Sequence, residues 1–165
     1  MSCFRDTEVI MEIKLIGTDV DGTLTDAGMY YTIDGDVMKK FNTHDGMGLK
    51  LCQAAGIKTA ILTSENTQIV AKRAEKLKID YLFQGMKCKL EVIKKLCKEL
   101  NIGLENVAYI GDDINDFDIL SAVGLKACPA DALPKIKNIP DIKIMSLKGG
   151  EGAVREFIDE YILKD

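Results

Sequence analysis

Two carboxylates, Asp19 and Asp21, are separated by one residue and followed at once by Gly22. The residues before them, 12–16, are rich in isoleucine and leucine, which predicts the start of a buried strand. If Gly22 turns the chain, both acids gather at the carboxyl end of that strand. Carboxylates this close repel each other unless a cation or a shared proton relieves them. The pair therefore indicates a cation site, with a solvated acidic turn as the alternative interpretation.

Polar residues also end two further apolar stretches of the chain. Thr63 and Ser64 close a stretch that begins at residue 57, and Asp112 and Asp113 follow residues 107–110. Both stretches read as buried strands. Because ligands bind at the carboxyl ends of strands in a parallel sheet, we expect these polar groups to meet the first acidic pair.

The chemistry of this set suits phosphoryl transfer. Oxygen ligands without nearby histidine or cysteine favour Mg²⁺, which Asp19, Asp112 and a backbone carbonyl near Asp21 can hold. A metal-bound aspartate can attack phosphorus, and Asp21 can serve as general acid and base. Thr63 and Lys89 can neutralise the phosphoryl oxygens. Taken singly, Thr63 also suits a helix N-cap and Lys89 a solvated surface.

In order along the chain, these motifs resemble the haloacid dehalogenase superfamily of aspartate-dependent phosphatases. The matches are Asp-Val-Asp-Gly-Thr at 19–23, Thr63, Lys89 and Gly-Asp-Asp-Ile-Asn-Asp at 111–116. The resemblance implies that Asp19 is nucleophile and Mg²⁺ ligand, Asp21 acid/base, Asp112 a further ligand and Asp116 a partner of Lys89. The phosphate-binding residues that it implies are Asp21, Thr63, Ser64 and Lys89. Asp113 is expected to begin a helix beside the metal rather than to bind it.

A narrower resemblance is to the capless sugar-acid phosphatases, which act on 3-deoxy-octulosonate 8-phosphate or nonulosonate 9-phosphates. The similar segments are residues 41–48, 73–75, 83–85, 129–132 and 149–157. Too few residues lie between the motifs of this chain to form a cap domain. Members of the capless subgroup are typically homotetramers in which a neighbouring subunit covers each site. The substrate contacts implied are Asn42, Thr43, His44, Asp45, Gly46, Glu65, Arg73 and Lys76.

The residue at position 65 bears on the length of the sugar. Octulosonate enzymes usually have arginine where this chain has Glu65, and they tend to carry arginine where His44 and Lys50 stand. Arginine can clamp a carboxylate bidentately, whereas glutamate prefers sugar hydroxyls or a lysine. We therefore expect a nine-carbon 2-keto-3-deoxy sugar acid phosphate, with the eight-carbon substrate as the alternative. Two other interpretations stay open, with Glu65 as a cap or surface acid and His44 as a positioned loop residue.

Alternating strands and helices must position these groups. Helices of roughly 10–15 residues between buried strands predict crossover units and a parallel sheet. An Asp-Gly at 34–35 predicts a hairpin over residues 28–41, followed by a polar loop at 42–46 and a helix from residue 47. The expected fold is α/β, a three-layer Rossmann-like sandwich with a hairpin insertion after the first strand and no cap domain. Residues 1–11 are expected to form an N-terminal extension and residues 12–165 a single domain.

The composition limits which binding partners and which cellular compartment we expect for this protein. The 165 residues carry a net charge of −4, which argues against nucleic acid, and no apolar run is long enough to span a bilayer. The five cysteines form no C-x-x-C pair, which indicates reduced thiols in a cytoplasmic protein. The expected partners are a phosphorylated sugar acid and copies of the same chain.

Two other function classes use similar residues. A phospho-accepting receiver module also combines acids, Thr/Ser and Lys on a parallel sheet, but there the acidic pair comes on the first strand and a lone aspartate follows. A protein-phosphate phosphatase is possible chemically because a capless site admits a large substrate. A persistent phosphate would favour the receiver, and a monomeric open site the protein phosphatase.

Overall fold

The computed structural model describes residues 11–164, so the predicted extension at 1–11 lies, apart from Met11, outside the described residues. Eight strands and six α-helices are present in this range. The strands are β1 Leu15–Thr18, β2 Tyr30–Thr32, β3 Gly35–Met38, β4 Lys58–Thr63, β5 Tyr81–Gln84, β6 Val107–Ile110, β7 Leu125–Cys128 and β8 Lys143–Ile144. The helices are α1 Thr43–Ala54, α2 Gln68–Leu77, α3 Lys89–Leu100, α4 Phe117–Ala122, α5 Pro134–Lys137 and α6 Ala153–Phe157.

Six of the strands form a parallel sheet in the order β5-β4-β1-β6-β7-β8. At the end of β1, Thr18 pairs with Ile61 of β4 and with Ile110 of β6. The strand order reverses beside β1, so the chain segments that leave β1, β4 and β6 emerge side by side at the same edge. This register brings the predicted polar termini together.

Two apolar clusters cover the faces of the sheet and make three layers. Ile16 and Ile61 face one side, where they pack with Leu49 of α1, Val70 of α2 and Phe157 of α6. The other side joins residues of the same strands to α3, α4 and α5, with Leu15, Leu62, Ile93, Ile119 and Ile136 among its buried residues. Residues on a strand alternate between the two faces, which is why neighbours in sequence belong to different clusters.

Strands β2 and β3 form the predicted hairpin outside the main sheet. Gly35, at φ +110, follows the two turn residues and takes a conformation that other residues rarely adopt. A bridge between Thr25 and Phe41 closes the base of the hairpin. Its apolar side chains are exposed, among them Tyr31 at 65% and Ile33 at 103%.

Two local expectations differ from the structure. Helix α1 begins at Thr43 rather than at residue 47, because the Asn42 side chain accepts from the His44 N–H and caps it. The predicted polar loop at 42–46 is therefore wrong. Helix α4 was not predicted, and the last helix passes after Phe157 into a π-helix at Ile158–Ile162. Within residues 11–164, the helices are too short or too polar to cross a membrane.

Candidate active site

The turn after β1 brings the first acidic pair to the edge of the sheet. The Asp19 N–H donates to the Ile110 carbonyl at 3.1 Å, which joins the end of β1 to β6. The N–H groups of Thr23, Leu24 and Thr25 all donate to the Val20 carbonyl, and Gly22 takes φ +89. A Cβ atom at Gly22 would overlap the carboxylate of Asp112. Glycine at this position therefore lets the two acidic segments come together.

The ammonium group of Lys89 lies buried between two carboxylates. Its Nζ is 2.6 Å from Oδ1 of Asp19 and 2.7 Å from Oδ1 of Asp116. Burial alone would lower the pKa of Lys89, but the charges of Asp19 and Asp116 raise it overall. Lys89 therefore stays charged at the first residue of α3, and the predicted contact between Lys89 and Asp116 is present.

Asp116 organises the loop that follows β6. Its Oδ1 also accepts from the Tyr109 hydroxyl at 2.7 Å, and its Oδ2 accepts from the Asp112 N–H at 3.0 Å and the Asp113 N–H at 3.3 Å. Both oxygens of this buried carboxylate are thus occupied. Asp116 fixes Lys89 and the backbone of Asp112 in place.

Three carboxylates are close enough to hold a cation. Oxygens of Asp19, Asp112 and Asp116 lie within 4.8 Å of one another. Burial and the charge of Asp116 raise the pKa of Asp19 and raise that of Asp112 to about 7. Because both oxygens of Asp116 already accept hydrogen bonds, Asp19 and Asp112 are the free ligands. A hard divalent cation fits this oxygen set and would offset the repulsion.

A pocket of about 130 Å³ opens beside Asp19. The predicted residues that line it are Asp19, Asp21, Thr63, Ser64, Glu65 and Asp113, and Asn115 lines it as well. Asp113 begins the 3₁₀ helix Ile114–Asp116, and its side chain accepts from the Ile114 N–H, as expected for a helix-start acid. This volume falls below the roughly 300–1,000 Å³ typical of small-molecule pockets.

Most of the predicted substrate contacts lie elsewhere in this chain. Asn42 caps α1, and the buried carboxylate of Asp45 accepts from the Arg155 N–H at 2.9 Å. A Cβ at Gly46 would lie 2.7 Å from Nη2 of Arg73, whose guanidinium stacks on Phe41. The remaining side chains, Thr43, His44 and Lys76, are exposed. Of the predicted contacts, only Glu65 lines the pocket, and Asp45 and Gly46 are buried in α1.

Four residues at the site were not predicted as site residues. Lys39 donates to Oδ1 of Asp21 at 2.7 Å, and Tyr109 bonds to Asp116. The Thr23 hydroxyl donates to Oδ1 of Asp112 at 3.2 Å, and the Asn115 amide donates to the Ser64 hydroxyl at 3.2 Å. Thr23 and Asn115 stand inside the two acidic motifs, which could have identified them. Lys39 and Tyr109 read as ordinary strand residues.

Comparison with known proteins places this geometry among hydrolases. The chain matches the haloacid dehalogenase-like hydrolase family over residues 47–124. The 3-deoxy-D-manno-octulosonate 8-phosphate phosphatase of Escherichia coli is 38% identical over 151 residues, covering 92% of this chain and 80% of that protein.

Solved structures agree over nearly the whole chain. The cobalt-bound deoxy-D-mannose-octulosonate 8-phosphate phosphatase from Haemophilus influenzae has a TM-score of 0.88 and 36% identity, covering 93% of this chain and 89% of that one. The 3-deoxy-D-manno-octulosonate 8-phosphate phosphatase from Moraxella catarrhalis, in complex with a magnesium ion, a phosphate ion and a KDO molecule, has a TM-score of 0.85 and 36% identity. The match covers 90% of this chain and 85% of the Moraxella catarrhalis chain. The predicted fold class is confirmed.

Proposed function

The chain belongs to the haloacid dehalogenase-like hydrolases, and we propose that it is a Mg²⁺-dependent phosphatase of a small 2-keto-3-deoxy sugar acid phosphate. As a member of the capless group it is a phosphoric monoester hydrolase. The observation that carries the proposal is the pocket lined by Asp19, Asp21 and Thr63, together with the buried Lys89 that binds Asp19. A lasting phospho-acceptor, the receiver alternative, does not agree with this family.

Asp19 and Asp21 carry the two halves of the proposed reaction. The Asp19 carboxylate attacks phosphorus, the ester P–O bond breaks, and the leaving oxygen takes a proton from Asp21. The products of this half are a phosphoryl group on Asp19, the free sugar acid and an ionised Asp21. Asp21 then accepts a proton from water as the water oxygen attacks phosphorus, which releases phosphate and restores Asp19.

Cations balance the charge of these steps. Lys89 holds Oδ1 of Asp19, which leaves Oδ2 for the attack, and Thr63 offers its hydroxyl from the end of β4. Mg²⁺, held by Asp19, Asp112 and the backbone carbonyl of Asp21, would supply positive charge next to the phosphoryl oxygens. Ser64 in the same pocket adds a further donor to the phosphate.

For the substrate, the relatives favour the eight-carbon acid. The Escherichia coli and Moraxella catarrhalis proteins are both named as 3-deoxy-D-manno-octulosonate 8-phosphate phosphatases. Our first expectation, a nine-carbon nonulosonate 9-phosphate, has no such support among these relatives, so the eight-carbon reading is the better proposal. Glu65 keeps the nine-carbon acid as the second candidate, because its carboxylate lines the pocket where it could bind hydroxyls.

A direct competition decides between these substrates. The ratio of kcat/KM for 3-deoxy-octulosonate 8-phosphate and for a nonulosonate 9-phosphate measures the difference in transition-state binding. We expect the eight-carbon ester to be preferred. A preference for the nine-carbon ester would return the assignment to the second candidate, and turnover of neither would contradict the sugar-acid proposal and favour a protein-phosphate substrate.

We further propose that the active form is a homotetramer in the cytoplasm. The pocket of one chain is small, and the apolar side chains of the hairpin are exposed, as expected for a surface that packs against another copy. The substrate-contact residues that lie outside the pocket, among them His44 and Arg73, would then reach substrate only through a subunit interface. The described cysteines, Cys52, Cys88, Cys97 and Cys128, are free thiols, which agrees with a reducing compartment.

A further inference from the structure

Lys39 is a buried charge on an otherwise exposed hairpin. Its side chain is 0% exposed, whereas the side chains before it, Val37 and Met38, are about half exposed. Lys39 follows the last residue of β3, where the hairpin returns to the body of the protein. Its ammonium group points inward to Asp21 and not to solvent.

Two acids surround the Lys39 ammonium. Nζ lies 2.7 Å from Oδ1 of Asp21 and 3.1 Å from Oδ2 of Asp36, in β3 of the same hairpin. Apart from this ion pair, the two buried oxygens of Asp36 have no hydrogen-bond partner in the part of the chain that the structure describes. Asp36 therefore compensates the buried ammonium, and the ammonium links the hairpin to Asp21.

Stability alone does not account for this arrangement. Burying an ammonium and a carboxylate costs so much hydration that well-packed apolar side chains usually stabilise a fold equally or better. The hairpin is already rich in apolar residues, and one more would anchor its base. An apolar residue at this position could not make the charged contact with Asp21.

The contact determines how Asp21 presents its carboxyl group. Lys39 occupies Oδ1, while the Asp21 side chain remains 27% exposed and lines the pocket. Oδ1 of Asp21 is therefore bound to Lys39, and Oδ2 is left for the reacting groups. Among the described residues that line the pocket, Asp21 is present and Lys39 is not, so Lys39 acts through Asp21.

We propose that Lys39 is a positioning residue that holds Oδ1 of Asp21 so that Oδ2 meets the leaving-group oxygen. The inference rests on the acid/base role proposed above for Asp21. When the ester P–O bond breaks, its electron pair stays on the leaving oxygen, and the Asp21 proton passes from Oδ2 to that oxygen. The Asp21 carboxylate formed in this step lies against the Lys39 ammonium, which gains no proton and loses none.

The dependence on the leaving group tests the proposal. An alkoxide from a sugar acid needs a proton as it leaves, whereas p-nitrophenolate leaves without one. We compare kcat/KM of Lys39→Met on 3-deoxy-octulosonate 8-phosphate and on p-nitrophenyl phosphate. This parameter covers only the steps up to release of the alcohol, so hydrolysis of the phosphoryl-enzyme does not enter it.

We expect Lys39→Met to lower kcat/KM for the sugar phosphate on the order of 10²-fold and that for the aryl phosphate less than tenfold, within the range for general acid catalysis. Lys39→Arg, which keeps the charge, should lie closer to wild type in the ratio of the two values. An equal loss on both substrates, or no loss, would overturn the proposal. If Lys39→Met does not fold, Lys39→Gln, which also removes the charge, replaces it in the same comparison, and an equal loss on both substrates again overturns the proposal.

Two further variants separate this inference from the proposed function. Lys40→Met removes the adjacent exposed lysine and should leave both kcat/KM values within twofold of wild type. Asp21→Asn should show the same selective loss as Lys39→Met, and a larger one. Selective loss in Asp21→Asn without selective loss in Lys39→Met contradicts the Lys39 proposal alone. No selective loss in Asp21→Asn contradicts the acid role of Asp21, and the Lys39 proposal with it.

Discussion

The backbone of Gly149 lies directly against the carbonyl oxygen of Gly22. A Cβ atom at Gly149 would overlap that oxygen, and the next residue, Gly150, donates its N–H to the Thr23 carbonyl at 3.1 Å. The glycine-rich segment near the C-terminus therefore supports the turn that carries Asp19 and Asp21 in its own chain.

Gly149→Ala should damage the site through this contact. Because the overlap is with backbone rather than with a flexible side chain, the turn must shift, and we expect kcat/KM to fall at least tenfold and stability by roughly 1–3 kcal/mol. Steady-state kinetics and urea unfolding measure both. Gly28→Ala is the matched control, since the atoms nearest to its Cβ would belong to the Asp26 side chain and not to the backbone. Unchanged kinetics in Gly149→Ala would show that the segment does not support the turn.

Asp45 should make stability depend on pH. Burial raises its pKa from 3.8 to about 6, although the Arg155 N–H donates to it. The folded state therefore binds more protons than the unfolded state between about pH 4 and 6, and the free energy of unfolding falls as pH rises through that window. The Asp45→Asn variant lacks this pH-dependent loss of stability. The difference between its free energy of unfolding and that of wild type should therefore rise by about 2 kcal/mol from pH 4 to pH 7. Chemical unfolding across this range measures the difference, and a constant difference would contradict the assignment.

The hairpin should carry the subunit contact. Ile33 is fully exposed in one chain, so Ile33→Asp should leave the fold intact and shift the assembly from tetramer to smaller species. Light scattering coupled to size exclusion measures the mass. Ile144→Asp, at a half-exposed isoleucine in β8, is the control and should not change the mass. A wild-type protein that is a stable monomer would remove the tetramer proposal.

Glu65 should contribute to the choice between sugars. Glu65→Arg replaces a carboxylate in the pocket by a guanidinium that can bind the carboxylate of the sugar acid. We expect the kcat/KM ratio to move toward the eight-carbon ester by roughly tenfold, and Glu75→Arg, on the exposed face of α2, to leave the ratio unchanged. An unchanged ratio in Glu65→Arg would exclude Glu65 from substrate recognition.

The sequence predicts the position of a residue where its neighbours along the chain determine its secondary structure and burial. β6 covers the predicted residues 107–110, because a short apolar run between polar residues is typical of a buried strand. The meeting of Asp19, Thr63 and Asp112 follows from a parallel sheet alone. The start of α1 was wrong because the polar residues after Asn42 read as a loop, although the Asn42 side chain caps a helix there.

Contacts between distant positions were beyond the sequence. Lys39 and Asp21 are 18 residues apart, and only the fold of the hairpin makes them an ion pair. Tyr109 looked like a core residue of β6, and it is one, but its hydroxyl reaches Asp116 at the end of the strand. The packing of Asp45 under α6 likewise depends on tertiary structure.

The central claim is that Asp19 takes the phosphoryl group from the substrate. Its carboxylate lies 2.6 Å from the Lys89 ammonium and lines the pocket. Asp19→Asn keeps the shape of the side chain but removes the nucleophile, so Mg²⁺-dependent hydrolysis of 3-deoxy-octulosonate 8-phosphate and of p-nitrophenyl phosphate should both fall at least 10⁴-fold. A folded Asp19→Asn protein that hydrolyses either ester at close to the wild-type rate would contradict the account.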